Sequence, residues 1–397
     1  MSPKGKHKVF SGLVGAALAL MVGSAGAEIG VTDDTIKIGM YGPLHGKVSL
    51  YGYPINNGPI AIYKEVNEMG GIHGRKIEIY HEDSDCNPQK AAAAVKKLIH
   101  QDKVFMIHGG SCSGATLGGI REITDSGIPY MIMAATMDKL ATPVVKNIFR
   151  PALSGSGDGM VMLDFLITMP GVKRIAVVRH TNDWANAKSS KFLAQIESHG
   201  IEIVSDEEME RKATDATAQV LKHKKVKPDA VATFLYPAEA ALYTRDAEKY
   251  GLDVPILGTN AVMDLMDLKK RAGGLGPVKN FYAAAFIQAP MGDYKTAAFR
   301  ALMTKHFPDD RPQSLNLYGM GGAYAVLEGL TRAGRDLTRE KLIAAFNTLD
   351  GVYAGPMTCT LKFTEDEHEG CKQGTMWTLS SDGGRIIDVG KTWRDVK

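Results

Sequence analysis

The chain has 397 residues, enough for two or three domains of roughly 100–200 residues each. Its hydrophobic fraction of 44% and charged fraction of 23% are ordinary for a globular protein, and they exclude a disordered, collagen-like or coiled-coil chain. The formal charge of +3 is a small difference between 47 basic and 44 acidic residues, which excludes a nucleic-acid binder that works by a basic surface.

Residues 1–27 predict a cleavable signal peptide. Lys4, Lys6 and Lys8 form a basic start, followed by an apolar stretch over 9–22 that is shorter than the ~20 residues of a membrane span. The small residues at 25–27 (AGA) then form a cleavage site. No cysteine lies at that point, so we expect a periplasmic protein that is not a lipoprotein. Without its signal peptide the chain is formally neutral.

Short apolar strands alternate with helical runs through the first part of the mature chain. Strands are predicted around 36–40, 77–79, 104–107 and 129–132. Gly70-Gly71 ends the helix after the first strand, and Asn87-Pro88 begins the helix after the second strand as N-cap and first-turn proline. Buried strands that alternate with helices predict an α/β unit, a parallel sheet with helices on both faces.

The same pattern begins again after residue 150, which predicts a second α/β unit. Its strands are predicted at 174–179, 202–205, 230–235 and 255–257. The last third is richer in helix, with helices predicted around 294–307, 317–333 and 338–349 and strands around 281–286, 375–379 and 385–389. We expect this part to return and complete the first two units.

The four cysteines are expected to be paired, because the exported chain meets an oxidising compartment. Four cysteines allow three pairings, and the local pairing Cys86–Cys112 and Cys359–Cys371 is the simplest. The alternative is a metal site, but the cysteine spacing matches no zinc pattern. We therefore expect two disulfides, no metal and no cofactor.

Two segments that follow strands predict an anion pocket. The sequence GSCSG at 110–114 opens a helix and places Ser113 and Thr116 where an anion binds to free N–H groups. It also resembles a nucleophile elbow with Cys112 as nucleophile, which would require a free thiolate. Ala134-Ala135-Thr136 follows the next strand. Ligands bind beyond the carboxyl ends of such strands, so both segments are expected at one site.

The glycine-rich run at 154–159 (SGSGDG) precedes a helix. Its spacing is not that of a dinucleotide-binding fingerprint, and no clear strand and acidic partner accompany it. We interpret it as a turn between the two units.

Several of these segments together resemble one known family. The chain is similar to type I periplasmic solute-binding proteins of the leucine/isoleucine/valine-binding group, which serve ABC importers. The resemblance runs through nearly all of the mature chain and is most specific in the first half. It depends on SLYG at 49–52, NEMGGIHG at 67–74, DSDCNP at 83–88, GSCSGAT at 110–116, AAT at 134–136 and Gly355-Pro356.

The resemblance implies a fold of two doubly wound parallel-sheet lobes joined by a three-strand hinge. Residues 28–150 plus 283–373 are then expected in lobe 1, and residues 151–282 plus 374–397 in lobe 2. The ligand is expected between the lobes.

The resemblance also implies the ligand site. Its carboxylate-binding positions fall at Ser113, Ala134, Ala135 and Thr136, and its aromatic positions at Tyr51, Trp184 and Tyr236. The amino-acid binders of the family pair the ligand ammonium with an acidic residue. Asn260 stands at that position here, and an amide cannot neutralise a charge. Asp264 lies four residues further on and could substitute for it.

The implied function is transport and not catalysis. We expect a monomeric receptor that captures a small carboxylate or amide, delivers it to a membrane permease and binds no nucleic acid. Two ligand classes stay open at this point: an amino acid, or an aromatic or other apolar carboxylate without an α-ammonium. Two other functions also stay open: the ligand-binding subunit of a sensor or chemoreceptor, and an exported hydrolase that uses Cys112.

Overall fold

The structure is a computed structural model that describes residues 1, 28–46 and 48–393. Two sheets organise these residues into two lobes. The predicted signal peptide lies outside the described residues apart from Met1, as does the predicted lobe 2 segment at 394–397.

Lobe 1 is built on a five-stranded parallel sheet in the order β2-β1-β3-β4-β5. Ile38 and Met40 of β1 pack towards α1, whereas Tyr41 packs towards α2 and α3. Helices therefore cover both faces. The elements are β1 (Thr35–Gly42), α1 (Ser49–Glu68), β2 (Lys76–Asp83), α2 (Pro88–Lys96), β3 (Met106–Gly109), α3 (Ser113–Ser126), β4 (Tyr130–Ile132) and β5 (Ile148–Phe149).

Lobe 2 is built on a seven-stranded sheet in the order β12-β11-β10-β9-β8-β6-β7. Its strands are parallel except at the β10–β11 and β11–β12 pairs. Its first elements are α4 (Gly155–Leu166), β6 (Arg174–Arg179), α5 (Asp183–Gln195), β7 (Glu202–Glu208), α6 (Thr217–Val226), β8 (Ala230–Phe234), α7 (Pro237–Tyr250), β9 (Ile256–Gly258), α8 (Leu265–Ala272) and β10 (Phe281–Ala285).

The helix-rich last third completes both lobes, as predicted. It contains α9 (Ala297–His306), α10 (Ser314–Ala333), α11 (Arg339–Phe346), β11 (Gly374–Leu379) and β12 (Ile386–Trp393). A Cβ on Gly58 of α1 would lie 2.1 Å from the carbonyl oxygen of Asn316, and one on Gly319 would lie 2.0 Å from that of Ile55. These two glycines let the backbones of α1 and α10 touch, which fixes α10 to lobe 1.

The prediction of two α/β lobes is confirmed, while some strand positions differ. Strand β3 occupies Met106–Gly109 instead of 104–107, because the buried, apolar Val104 and Phe105 precede the paired residues. The predicted boundary at 282/283 stays a prediction. Strand β10 crosses it and pairs on both sides within the second sheet.

A buried ion pair joins two of the chain segments that cross between the lobes. The Arg150 guanidinium, 1% exposed, donates to Glu369 at 2.9 Å. The second oxygen of Glu369 accepts the Ser154 N–H at 2.6 Å. A charge buried this deeply needs such partners, so the crossings at 150–154 and 369 are held at one point.

Acid is expected to destabilise the protein through its buried histidines. Burial lowers the pKa of His108 to about 3 and that of His223 to about 4, against ~6.5 for an unperturbed histidine. Between these values the unfolded chain binds protons that the folded chain does not. The free energy of unfolding is therefore highest above pH ~6.5 and falls as the pH decreases towards ~4. Urea denaturation at several pH values measures this loss.

His108→Gln removes one of these groups and should reduce the slope of stability against pH by up to about 1.4 kcal/mol per pH unit. His199→Gln, at an exposed histidine, is the control for the substitution itself. An unchanged slope in His108→Gln would show that His108 does not resist protonation.

Candidate functional site

A cavity of about 440 Å³ opens between the lobes. Four of the eight predicted ligand residues line it: Tyr51, Ser113, Trp184 and Tyr236. The other four do not line the cavity and are buried: Ala134, Ala135, Thr136 and Asn260. Further lining residues are Leu50, Gly114, Ala115, Arg211, Lys212, Asp267, Arg271 and Leu315.

Aromatic rings from both lobes form one wall of the cavity. Trp184, in the first turn of α5, stacks on Tyr236, the N-cap of α7, with ring centroids 4.2 Å apart and planes at 18°. Tyr51, in the first turn of α1, meets Tyr236 edge-on at 6.2 Å. The guanidinium of Arg211 lies 5.3 Å from the centre of the Tyr236 ring. The wall therefore suits a flat or apolar group next to a positive charge.

The N-terminus of α3 faces the same cavity from lobe 1. Its N-cap, Cys112, is bonded to Cys86 with the Cα atoms 5.5 Å apart. A Cβ on Gly114 would meet no atom within 4 Å, so the first turn of α3 is open to the cavity. The second predicted pair, Cys359–Cys371, is also formed. The disulfide prediction is thus confirmed, and Cys112 has no free thiol to act as a hydrolase nucleophile.

The Ser113 hydroxyl connects α3 to the 134–136 turn. Its oxygen accepts the N–H groups of Thr136 and Met137, both at 3.2 Å. A hydroxyl has two acceptor sites and one proton. With its acceptor sites filled, Ser113 keeps its proton for a further acceptor such as a carboxylate.

The 134–136 turn lies directly behind Ser113. The Ala134 carbonyl accepts the Tyr318 hydroxyl at 2.9 Å, and the Thr136 carbonyl accepts the Gly155 N–H at 2.6 Å. The Thr136 hydroxyl is buried and has no hydrogen-bond partner among the described residues. The structure thus brings Ser113 and Thr136 together; their part in ligand binding stays a prediction.

Asn260 belongs to a buried polar cluster. Its side-chain oxygen accepts from the Lys188 ammonium at 2.7 Å, and Lys188 also donates to Asp158 at 2.6 Å. Burial lowers the pKa of Lys188, and the Asp158 carboxylate opposes this shift. The sequence analysis identified Asn260 but missed both charged partners.

The glycine-rich run at 154–159 explains how Asp158 reaches Lys188. It is not the predicted turn, because α4 begins at Gly155 with Ser154 as its N-cap. A Cβ on Gly159 would lie 2.0 Å from the Lys188 carbonyl oxygen. The missing side chain lets α4 touch α5, and Asp158 then lies beside Lys188.

Asp264 joins the lobes instead of replacing Asn260. One carboxylate oxygen caps α8 by accepting the Asp267 N–H at 3.1 Å. The other accepts the Ser314 N–H at 3.3 Å, at the start of α10 in lobe 1. Burial raises the pKa of Asp264, and these two N–H groups act against that rise. Asp264 is therefore a cross-lobe contact at the base of the cavity.

A family model described as periplasmic binding protein matches residues 35–384. The chain belongs to the periplasmic binding protein family. The predicted resemblance to periplasmic solute-binding proteins is thereby confirmed, and relatives of the leucine/isoleucine/valine-binding group support its narrower form. Among the helices of the described residues, none is long and apolar enough to cross a bilayer.

One relative is the "Leucine-, isoleucine-, valine-, threonine-, and alanine-binding protein" of Pseudomonas aeruginosa, 27% identical over 59% of this chain. The alignment spans 63% of that relative's own length.

Two solved structures show the same fold. A fatty acid ABC transporter substrate-binding protein from Thermomonospora curvata superposes with a TM-score of 0.81 at 24% identity, over 93% of this chain and 95% of that one. The second is a solute-binding protein of an ABC transporter from Rhodopseudomonas palustris BisB5, in complex with 3,4-dihydroxy benzoic acid. It superposes with a TM-score of 0.79 at 21% identity, over 92% of this chain and 99% of that one.

Asp264→Ala should weaken the contact between the lobes of this periplasmic binding protein. Two N–H groups lose their acceptor, and the loss of a helix N-cap alone costs about 0.5–2 kcal/mol. We expect a lower melting temperature and, by small-angle scattering, a larger radius of gyration. Asp264→Asn keeps one of the two acceptor oxygens and should lie between the wild type and the alanine variant. An alanine variant with an unchanged radius of gyration would argue against the cross-lobe role.

Proposed function

We propose that this protein is the solute-binding component of an ABC importer and captures a small carboxylate between its lobes. One observation carries the proposal. The cavity has hydrogen-bond donors at one side, from Ser113 and the first turn of α3, and an aromatic wall at the other, from Tyr51, Trp184 and Tyr236.

Each part of the cavity suits one part of such a ligand. A helix N-terminus attracts anions because its first N–H groups lack partners and the helix dipole is positive there. The Ser113 proton adds a charge-assisted hydrogen bond to a carboxylate. The stacked rings cover an apolar or aromatic group, as ligand pockets usually do. A cavity of about 440 Å³ is large enough for a single-ring acid or a short aliphatic acid.

The related proteins support this chemistry. The names of the relative and of the two structures indicate aliphatic amino acids, a fatty acid and 3,4-dihydroxy benzoic acid as their ligands. All of them carry a carboxylate, while the rest of each molecule differs. The shared group corresponds to the α3 side of the cavity, and the variable group to the aromatic side.

Closure of the lobes completes the proposed mechanism. The lobes are connected by the crossings near Arg150, β10 and Glu369, so they can rotate as hinged bodies. A ligand that contacts both lobes favours the closed form by its additional contacts there. The closed form is then the one that the membrane permease recognises. Capture takes place in the periplasm, in keeping with the predicted signal peptide and the two disulfides.

Isothermal titration calorimetry on the purified mature chain tests the proposal. The panel is benzoate, 3,4-dihydroxybenzoate, octanoate, leucine and phenylalanine, with benzamide and octanol as neutral counterparts of two acids. We expect at least one acid to bind and its neutral counterpart to bind far more weakly. Equal binding of acid and neutral counterpart would contradict the carboxylate site.

Ser113→Ala should weaken binding of the best acid by about 1–3 kcal/mol, because a buried charged acceptor loses a donor. Ser126→Ala is a matched control on the same helix, since the Ser126 hydroxyl donates to the Ile123 carbonyl and accepts the Ile128 N–H, away from the cavity. Calorimetry on both variants measures the effect. Equal affinities for the two variants would remove Ser113 from the site.

Thr136→Val tests the turn in a different way. The Thr136 hydroxyl has no partner among the residues that the structure describes, so valine removes no hydrogen bond from the ligand-free protein. The melting temperature without ligand should stay the same or rise, while affinity for the acid should fall about tenfold or more. A variant that binds as tightly as the wild type would exclude Thr136.

A further inference from the structure

Asp158, Lys188 and Asn260 form a cluster in which each residue is hydrogen-bonded to the other two. The Lys188 ammonium donates to Asp158 at 2.6 Å and to Asn260 at 2.7 Å. The backbone N–H of Asn260 in turn donates to both Asp158 oxygens, at 3.3 and 3.2 Å. Asp158 comes from α4, Lys188 from α5, and Asn260 from the turn after β9.

The cluster is fully enclosed and adjoins the aromatic wall. The Lys188 and Asp158 side chains are 1% and 2% exposed, and Asn260 is 2% exposed. The Lys188 ammonium lies 5.4 Å from the centre of the Trp184 ring. A buried ion needs a counter-ion and hydrogen bonds, because its hydration is lost. Here Asp158 is the counter-ion of a lysine from the same lobe.

Other carboxylates lie nearby but outside the ion pair. Asp183, next to Trp184 in the chain, lines the cavity and is exposed. Asp138 is near enough to raise the pKa of Lys188, but its side chain accepts the Ser156 N–H at 3.1 Å. Arg150 adds a second positive charge near Lys188, and it acts to lower the lysine pKa. Arg150 has its own carboxylate partner in Glu369, so each of these two buried cations is paired.

We infer that Lys188 acts as a built-in ammonium, and that it makes the cleft select carboxylates that lack an ammonium group. The selectivity depends on the proposed function. The assignment of Lys188 as a built-in ammonium depends only on the contacts within the cluster. Lys188 occupies the acceptors of Asp158 and Asn260 that a ligand ammonium would use. An amino acid whose ammonium reaches this buried end of the cleft would lose hydration there, find both acceptors already bonded to Lys188, and lie near a like charge. A carboxylate with an apolar or aromatic remainder avoids all three costs.

Asn260 then orients Lys188 and does not read the ligand. Its side-chain oxygen faces the lysine ammonium, and its N–H faces the Asp158 carboxylate. The side-chain oxygen and the backbone N–H of Asn260 are therefore bonded to the ion pair, and its side chain also bonds to the Tyr318 hydroxyl.

Chemical rescue tests the built-in ammonium without any knowledge of the ligand. Lys188→Ala leaves a cavity beside an unpaired Asp158 and should lower the melting temperature. Added n-propylammonium fits that cavity and should raise the melting temperature again in a saturable way. Potassium at equal ionic strength and n-propanol should not. The wild type and Lys191→Ala, a variant on the same helix, should not respond to n-propylammonium.

The double variant Asp158→Asn, Lys188→Ala is the matched control for the charge. It has the same cavity without the anion, so it should show no rescue by n-propylammonium. Rescue that is equal in the single and double variants, or equal with n-propanol, would overturn the role of Lys188 as counter-ion.

Selectivity is measured on the unmodified protein, so it does not depend on a variant that folds. Two pairs of ligands differ only by the ammonium: leucine with 4-methylpentanoate, and phenylalanine with 3-phenylpropanoate. We expect the acid without the ammonium to bind at least tenfold more tightly in whichever pair binds. Tighter binding of leucine or phenylalanine would overturn the inference.

Lys188→Ala should shift the preference within each pair towards the amino acid by tenfold or more, because Asp158 is then available to its ammonium. An unchanged preference would also overturn the inference. If no member of either pair and no acid of the calorimetry panel binds the wild type or the variant, the carboxylate receptor proposal has failed. The response to n-propylammonium still decides whether Lys188 fills an ammonium site.

Discussion

The ion pair between Asp158 and Lys188 determines how the lobe 2 side of the cleft is built. It joins α4 to α5 and, through Asn260, to the turn after β9. Trp184 lies one helical turn before Lys188 on the same helix, so the aromatic wall depends on the position that this pair gives to α5. The glycines of α4 are part of the same constraint, since a side chain on Gly159 would push the two helices apart.

A second buried ion pair, between Arg150 and Glu369, holds two of the crossings between the lobes together, as the first pair holds α4 to α5. In both places, segments far apart in sequence meet, and a charge removed from water forces each of them to supply a partner. Breaking either pair would leave an uncompensated buried charge. The polar interior of this protein is thus concentrated where its parts must keep one relative position, while the apolar cores lie within the lobes.

Local patterns were enough to predict the two α/β lobes, because residues close in sequence determine both the short apolar strands and the ends of the helices. The meeting of Ser113 and Thr136 also followed, since both come directly after adjacent parallel strands. Lys188 could not be found in this way. A lysine within a helix usually predicts a solvated surface, and its partner Asp158 lies thirty positions earlier. The only local signal was the spacing of four residues from Trp184.

Glycines at 155, 157 and 159 suggested a turn because glycine has a low helix propensity. Contact with α5 overrides that propensity, and only the tertiary structure reveals such a contact. The bounds of β3 were predicted two residues too early for a related reason. The apolar character of Val104 and Phe105 indicates burial, but the sequence does not show which residues pair within the sheet.

The turn that carries Thr136 and Met137 has one further consequence. Its N–H groups bond to Ser113 at the cavity, while its carbonyl oxygens accept from the guanidinium of Arg150. The same few peptide units are therefore shared by the binding site and the hinge. In the proposed mechanism, a ligand that moved Ser113 would also move the acceptors of Arg150, and a single turn of backbone would couple the cavity to the crossing between the lobes.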